Sequence, residues 1–506
     1  MIEDALRRHA VEGGDKPAVV CGGEIITYGE LDSLSDKLAD SLFDRGVGRA
    51  SKAALLLGNS LEFPVLYYAL IKLGAIAVPL NTRYQTAELR SVLDHLEPEA
   101  LLFHERFRGT VERIRPSLKP LRLCLAADRK SPEFSELLRK GRDVRPEQRA
   151  SEGEEMICFY TSGTTGDPKG VVLTRRNCLS SAGMWIEAMG FSARDKLLIT
   201  TPLWHCSATT AFMLSSGIVG ATLILLPEFN AEDVLRTVQN QRPNFLWLVP
   251  TIMTLLDRHP RFREYDLSSL ETMLSGGSPL DPETVRWWKN AQPHLAICNG
   301  YAQTEGATAG TLLRDKDVLS KPHSIGTAIT KAVELKIAGA GGSEALPGAT
   351  GEILMRGPHV MKGYYRNQAL TEKTIKNGWL HTGDLGHFDG DGFLYYDGRK
   401  RDLIIRGGEN VFSEEVEAVL SSHPAVAESA VIGVPDDVWG EVVAAVVVMK
   451  KDGRATPRDL IAHCSNLLAD YKTPQVVVFV DELPKTPTGK VSKKALRDRM
   501  GARRTG

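Results

Sequence analysis

The sequence predicts an α/β protein with a large body and a smaller α+β domain at its C-terminal end. Three observations carry this. The chain has 506 residues, more than one compact core usually holds. Apolar runs alternate with amphipathic helical stretches up to residue 397, the pattern of mostly parallel sheets covered by helices. After Tyr396 the texture changes, and residues 398–506 read as a separate unit behind a short hinge at 398–402.

In residues 1–397 the strand-like runs include Ala53–Leu57, Thr222–Leu226, Phe245–Val249 and Glu352–Met355. Leu31–Phe43 and Pro64–Leu73 have helical spacing. In residues 398–506 the Asp397-Gly398 turn precedes the charged run Arg399, Lys400, Arg401, Asp402. Ser413 suits an N-cap, with Glu414 and Glu415 where the helix dipole favours anions. Val431, Val434, Val442–Met449 and Val476–Val480 read as strands. Thr456-Pro457-Arg458-Asp459 opens a helix with Pro at its first position and a capping box. Leu460, Ile461, Cys464, Leu467 and Leu468 form the apolar face of that helix.

Composition narrows the function classes. Hydrophobic residues make up 42% and the formal net charge is −1, which argues against a chain devoted to nucleic acid or to an anionic membrane surface. The charge is nonetheless uneven. Pro484–Gly506 carries eight basic residues and one acid, whereas 398–483 is net −5. The seven cysteines (Cys21, Cys124, Cys158, Cys178, Cys206, Cys298, Cys464) are scattered without a C-x-x-C pair, so buried thiols are expected, not disulfides or a zinc site. No apolar run is long enough to span a membrane, and the charged N-terminus lacks a secretory apolar region. The expectation is a cytoplasmic protein.

The strongest local signal is YTSGTTGDPKG, Tyr160–Gly170. Gly163, Gly166 and Gly170 let the backbone turn and approach a ligand. Thr161, Ser162, Thr164 and Thr165 offer hydroxyls and Lys169 a cation, which together suit a polyphosphate. Pro168 stands where a Walker A motif requires Gly, which disfavours a phosphoryl-transfer kinase. Further strings follow: PLWH (202–205), SGGSPL (275–280), NGYAQTE (299–305), GWLHTGDLG (378–386), GRKRDLIIRGGENVFSEEVE (398–417) and PKTPTGKVSKKAL (484–496). TYGELDSLSDKLA and GAIAVPLNTRYQTAEL stand nearer the start.

In this order, these strings resemble the motifs of the adenylate-forming enzymes: acyl-CoA synthetases, luciferases and adenylation domains. The resemblance covers nearly the whole chain and is nearest to bacterial acid–CoA ligases. It implies a large domain of packed α/β sheets with a distorted β-barrel subdomain, and a small mobile C-terminal domain. It also implies ATP, Mg²⁺ and coenzyme A as reactants, and a small carboxylic acid as substrate.

The resemblance assigns ATP or AMP contacts to Thr161, Ser162, Gly163, Thr164, Thr165, Gly166 and Lys169, and to Gly276, Gly277, Ser278, Asn299, Gly300 and Tyr301. Tyr301 offers a flat face for adenine, Thr304 a donor for the α-phosphate and Glu305 a hard oxygen ligand for Mg²⁺. Ala302 replaces the family's usual Gly. Asp384 and Arg399 take the ribose, and Lys490 neutralises charge as the acyl adenylate forms. Lys493 and Lys494 are expected to face solvent. His205 gates the passage between acid and thiol, Gly407 and Gly408 flank the pantetheine tunnel, and Trp439, Tyr471 and Lys472 pack on the CoA nucleotide. Core packing accounts equally well for Trp439. Arg401 stands at the hinge, where Asp or Lys is common.

The implied activity is an acid–CoA ligase of fatty or aryl monocarboxylates, as a monomer or homodimer. The alternatives are adenylation with a carrier-protein thiol or oxygen as acceptor, or a non-catalytic nucleotide- or acyl-binding protein. Residues 205–213, 247–255, Cys298 and Gln303 are the expected acyl-pocket walls, without an Arg or Lys for a second carboxylate.

Overall fold

The computed structural model describes residues 2–504 except 120, 130, 144–149, 162–167, 340–342, 407–408, 437 and 487–489. The chain is mixed α/β and divides into two compact units. Unit 1 comprises Met1–Leu335 and Met355–His381, and unit 2 comprises Lys336–Leu354 and Thr382–Gly506.

Unit 1 contains two sheets. The first runs in the spatial order Gly363–Tyr364, Lys169–Thr174, Glu155–Thr161, Ile76–Pro79, Lys52–Leu56, Ala100–Phe103, Leu123–Ala126. Its last five strands are parallel, and the first two close the edge antiparallel. The second sheet has a parallel centre, in the order Ala296–Tyr301, Thr272–Gly276, Phe245–Leu248, Lys196–Ile199, Thr222–Leu225, Pro17–Cys21. Antiparallel neighbours, Thr311–Leu313 and Glu24–Thr27, flank it on either side.

Helices pack against these sheets for reasons local to their sequences. Thr27 caps the Tyr28–Phe43 helix in a capping box with Glu30, and Thr174 does the same for Arg175–Met189 with Asn177. The Glu62–Leu73 helix is buried at every position, as an apolar helix without a polar face must be. Its one buried cation is matched: Lys72 Nζ lies 2.8 Å from Asp32 and 2.7 Å from Asp36. Among the described residues no helix is long and apolar enough to cross a membrane. All seven cysteines are free thiols, and six are buried.

In unit 2 the strands Glu334–Ala338, Gly351–Arg356, Trp379–Phe388 and Leu394–Arg399 lie side by side, three of them beginning or ending just across the unit boundary. A separate five-stranded sheet holds Glu409–Val411, Ile404–Arg406, Gly440–Met449 and Val426–Asp436, with Val476–Phe479 parallel to Gly440–Met449. The Thr456 capping box with Asp459 forms as expected. Two expectations are corrected. The helix Ser413–Ser421 takes Phe412 as its N-cap, and the Ser413 oxygen accepts from Lys493 Nζ at 2.7 Å instead of from first-turn N–H groups. Leu467 is exposed, so the apolar face of Pro457–Leu467 narrows to Leu460 and Cys464 with partial cover from Leu468.

His359 in unit 1 is fully buried, and neither ring nitrogen has a hydrogen-bond partner among the described residues. Burial pushes its pKa from 6.5 down to about 4. The unfolded chain therefore binds a proton that the folded chain refuses between those values. Stability is fully present above pH 6.5 and declines by about 3 kcal/mol as pH falls to about 4. His359→Leu flattens this part of the urea-midpoint profile between pH 6.5 and 4. Asp36, whose carboxyl burial raises, acts in the opposite sense but is common to both proteins, so the difference between the profiles isolates His359.

Candidate active site

The Glu155–Thr161 and Lys169–Thr174 strands form a hairpin in which Thr161 pairs with Lys169 across the register. Ser162, Gly163, Thr164, Thr165 and Gly166 lie outside the described residues. The base of the hairpin is fixed from both sides. Tyr160 Oη stands 2.8 Å from His95 Nδ1, and the Gly170 carbonyl accepts from Tyr365 N at 2.7 Å. Gly170 has to be small: a Cβ there would stand 2.8 Å from Cys158 Sγ and 3.1 Å from Tyr365 Cβ.

Glu305 sits in a 3₁₀ turn, Thr304–Gly306, directly after the Ala296–Tyr301 strand. The turn is strained, since Ala307 and Thr308 both adopt positive φ (45° and 62°). Side chains from neighbouring helices hold it. The Ala307 carbonyl accepts from Ser181 Oγ at 2.6 Å and Thr210 Oγ1 at 3.3 Å, and the Thr308 carbonyl from Trp185 Nε1 at 3.0 Å. The segment Met361–Tyr365 joins this turn to the hairpin. Met361 N donates to the Glu305 carbonyl at 2.8 Å and Tyr364 Oη to Glu305 Oε1 at 2.9 Å. Gly363 and Tyr364 meanwhile pair with Val172 and Val171. Burial and the Glu305 charge raise the Tyr364 phenol far above its usual range, so it stays a donor.

Gly276 and Gly300 pair at the C-terminal ends of adjacent parallel strands, with Ser275 opposite Asn299 one residue earlier. Ser275 Oγ and Asn299 Oδ1 are buried and have no hydrogen-bond partner among the described residues. Gly277 has φ +87°, and Ser278 follows it at the exposed surface. Tyr301 and Thr304 are partly exposed beside them. His205 stacks on Trp204 with ring centroids 3.9 Å apart, immediately before the π-helix Ser207–Met213.

In unit 2 the buried Asp384 faces Arg399 across the register, and Arg399 Nε lies 3.1 Å from Asp384 Oδ1. Arg401 lies in the 3₁₀ turn Lys400–Asp402, with its side chain outside the described atoms, as are Gly407 and Gly408 altogether. Trp439 is half exposed, which excludes core packing, and the Arg406 guanidinium covers its ring at 5.4 Å. Arg406 Nη1 also donates to the Asp470 carbonyl at 3.0 Å, next to Tyr471. Lys472 Nζ lies 5.7 Å from the Tyr471 ring centroid and 2.7 Å from Glu415. Lys490 is exposed, and its carbonyl accepts from Thr486 N at 2.7 Å. The expected solvent-facing Lys493 is instead only partly exposed and held in ion pairs with Glu417 at 2.8 Å and Glu414 at 3.5 Å.

Four residues to which no motif gave a role therefore support the candidates: Tyr364, His95, Trp185 and Arg406, the last within the 398–417 string. Their signal is spatial, since each acts on a partner distant in sequence.

The family model for AMP-binding enzymes matches residues 6–365, and that for the AMP-binding enzyme C-terminal domain matches residues 415–490. The chain belongs to the AMP-binding enzyme family. It is 34% identical over 480 residues to the long-chain-fatty-acid–CoA ligase FadD13 of Mycobacterium tuberculosis, covering 94% of this chain and 93% of the relative. It is 35% identical over 510 residues to the indoleacetate–CoA ligase of Aromatoleum aromaticum, covering 100% and 99%. The solved structure of the o-succinylbenzoate coenzyme A synthetase MenE from Bacillus subtilis, in complex with ATP and magnesium ion, superimposes with a TM-score of 0.88 at 30% identity, covering 98% and 99%. The enzyme is accordingly an acid–thiol ligase of the AMP-forming class.

The glycine pair gives a direct test of this packing. A Cβ on Gly276 would stand 2.6 Å from the Gly300 carbonyl and 3.0 Å from the Trp247 ring. Gly276→Ala is expected to lower the stability of the enzyme by about 1–3 kcal/mol in urea unfolding. Gly183→Ala, at an exposed helix position with open space around it, raises stability by about 0.5–1 kcal/mol.

Proposed function

We propose that this enzyme joins a monocarboxylic acid to coenzyme A through an acyl adenylate. The observation that carries the proposal is Glu305, held by Met361 and Tyr364 against the same short segment that pairs with the phosphate-loop hairpin. That arrangement supports a polyphosphate handled together with a hard cation. One fixed carboxylate with a neighbouring hydroxyl fits Mg²⁺, which commonly binds through one or two carboxylates plus substrate phosphates. Glu305 would hold it, and the cation when bound offsets phosphate charge.

In the first step an oxygen of the acid attacks the α-phosphorus of ATP. The bond to the β-phosphate oxygen breaks, and pyrophosphate leaves with the electron pair. Tyr301 stacks on adenine, Thr304 donates to the α-phosphate, and Thr161 and Lys169 bind the departing phosphates. Asp384 and Arg399 hold the ribose. Their mutual ion pair orients the Asp384 carboxylate as an acceptor for both ribose hydroxyls.

In the second step the thiol sulfur of CoA attacks the acyl carbonyl. The carbon–oxygen bond to AMP breaks, AMP leaves, and the thiol proton passes to solvent. Residues 398–506 act as a mobile domain about Arg401, withdrawing Lys490 and presenting Gly407–Gly408. His205 gates the passage of the thiol. Arg406 braces Trp439 and the Asp470–Lys472 turn as a platform for the CoA nucleotide. Positioning and electrostatics carry both steps. The location follows as cytoplasmic, where ATP and CoA are supplied.

Lys490→Ala tests the division of labour. ATP–pyrophosphate exchange falls by about 10²–10³-fold, the usual worth of one donor aimed at developing charge. Thioester formation from supplied acyl adenylate and CoA falls far less. Equal loss in both half-reactions contradicts the assignment. Acyl-AMP accumulating without acyl-CoA favours another acceptor, a carrier-protein thiol or oxygen.

A further inference from the structure

The segment that reaches Glu305 is held at its entry by one side chain from a helix distant in sequence. Asn177 lies in the first turn of the Arg175–Met189 helix, three residues after the N-cap Thr174. It is buried, and its amide is fully used. Oδ1 accepts from Thr174 N and from Thr174 Oγ1, both at 2.8 Å. Nδ2 donates to the Pro358 carbonyl at 2.9 Å and to the Val360 carbonyl at 2.7 Å. A backbone N–H only donates and a carbonyl only accepts, so the partners themselves fix which way the amide points.

The helix does not require an asparagine at this position. A capping box asks only for an acceptor there, and a carboxylate would also meet the positive end of the helix dipole. What asparagine adds over aspartate is a pair of N–H donors, and both go to the segment that leads to Glu305. Among the described residues no other group donates to either carbonyl.

Those two carbonyls bracket His359, which is fully buried with its ring edge 3.5 Å from where a Cβ on Gly306 would stand. Gly306 directly follows Glu305. The next residue, Met361, donates its N–H to the Glu305 carbonyl at 2.8 Å. Beyond Met361 the segment has support of its own, from Lys362 N on the Val172 carbonyl at 3.0 Å and Tyr365 N on the Gly170 carbonyl at 2.7 Å. Before Met361 the backbone contributes the turn bond from Val360 N to the Gly357 carbonyl at 3.2 Å, and Asn177 supplies the rest. Without its donors two buried carbonyls lose their partners, and the Met361 end shifts as they find others.

We infer that Asn177 is a positioning residue for Glu305: its amide fixes residues 358–360 so that Met361 meets the Glu305 carbonyl and the carboxylate is presented to the cation. The inference rests on the cation-holding role proposed above for Glu305 and adds the residue that sets its position from the Arg175–Met189 helix.

The test measures ATP–pyrophosphate exchange by the full-length enzyme against Mg²⁺ concentration, with whichever of phenylacetate, indole-3-acetate, octanoate and dodecanoate exchanges fastest. Asn177→Asp keeps the acceptor for the helix and replaces the donors by an oxygen. It is expected to raise the half-saturating Mg²⁺ concentration about tenfold, the low end for a group that orients a metal ligand, and to leave the KM for the acid nearly unchanged. Thr174→Val removes the cap hydroxyl but leaves both Nδ2 bonds, so it lowers the urea midpoint without moving the Mg²⁺ requirement. Asn177→Ala, which removes the donors without adding a charge, shifts the Mg²⁺ requirement in the same direction as Asn177→Asp and carries the test if the aspartate variant does not fold. Glu305→Gln is measured alongside. If it raises the Mg²⁺ requirement while the Asn177 variants do not, the role of Asn177 is overturned and that of Glu305 stands. An equal rise in Thr174→Val also overturns it, because the effect then belongs to the helix cap. If Glu305→Gln leaves the requirement unchanged, or none of the acids supports exchange, the reading of Glu305 fails and the inference fails with it.

Discussion

The contact on which the catalytic unit depends is the hydrogen bond from the Tyr364 phenol to the Glu305 carboxylate. Glu305 and the phosphate-loop hairpin come from different sheets of unit 1, and neither contacts the other through its own backbone ladder. The five residues Met361–Tyr365 supply the connection. They reach Glu305 through one backbone and one side-chain donor, and the hairpin through a short antiparallel pairing. A charge-assisted bond of this kind contributes about 1.5–3 kcal/mol and also fixes direction. The positive φ angles at Ala307 and Thr308 show that the turn would relax without such outside support. The same turn receives Trp185, whose indole N–H donates to the Thr308 carbonyl.

Charge in the smaller unit has a structural account as well. The basic segment from Pro484 onward meets the acidic stretch before it. Lys485 pairs with Glu428, Lys493 with Glu414 and Glu417, and Arg497 with Asp402. Much of the local cationic excess is therefore neutralised inside the unit, which accords with a near-zero net charge and leaves Lys490 exposed beside a largely satisfied scaffold. Glu417, with its carboxyl raised by burial, shows what such neutralisation costs when a pair is sequestered.

What the sequence made legible follows from how local each signal is. Strand runs, the Thr456 capping box and the glycine-rich string are patterns within a few residues, and motif order announced the family. Ser413 misled because its oxygen accepts from Lys493, a residue far later in the chain. Lys493 misled because its ion-pair partners, Glu414 and Glu417, lie far earlier in the chain. Tyr364 and His95 carried no periodicity or motif, and Arg406 stood inside a motif string without a role of its own. Their partners, Glu305, Tyr160 and Trp439, become neighbours only when sheets and turns assemble.

The central claim, that Tyr364 aims Glu305 at the phosphate-bound cation, is tested most directly by the Mg²⁺ dependence of ATP–pyrophosphate exchange in a double-mutant cycle of Tyr364→Phe and Glu305→Gln. Tyr364→Phe is predicted to raise the half-saturating Mg²⁺ concentration about tenfold, and to have no further effect once Glu305 is Gln. Equal effects of Tyr364→Phe in the presence and absence of the Glu305 carboxylate, or an unchanged Mg²⁺ requirement, would contradict it.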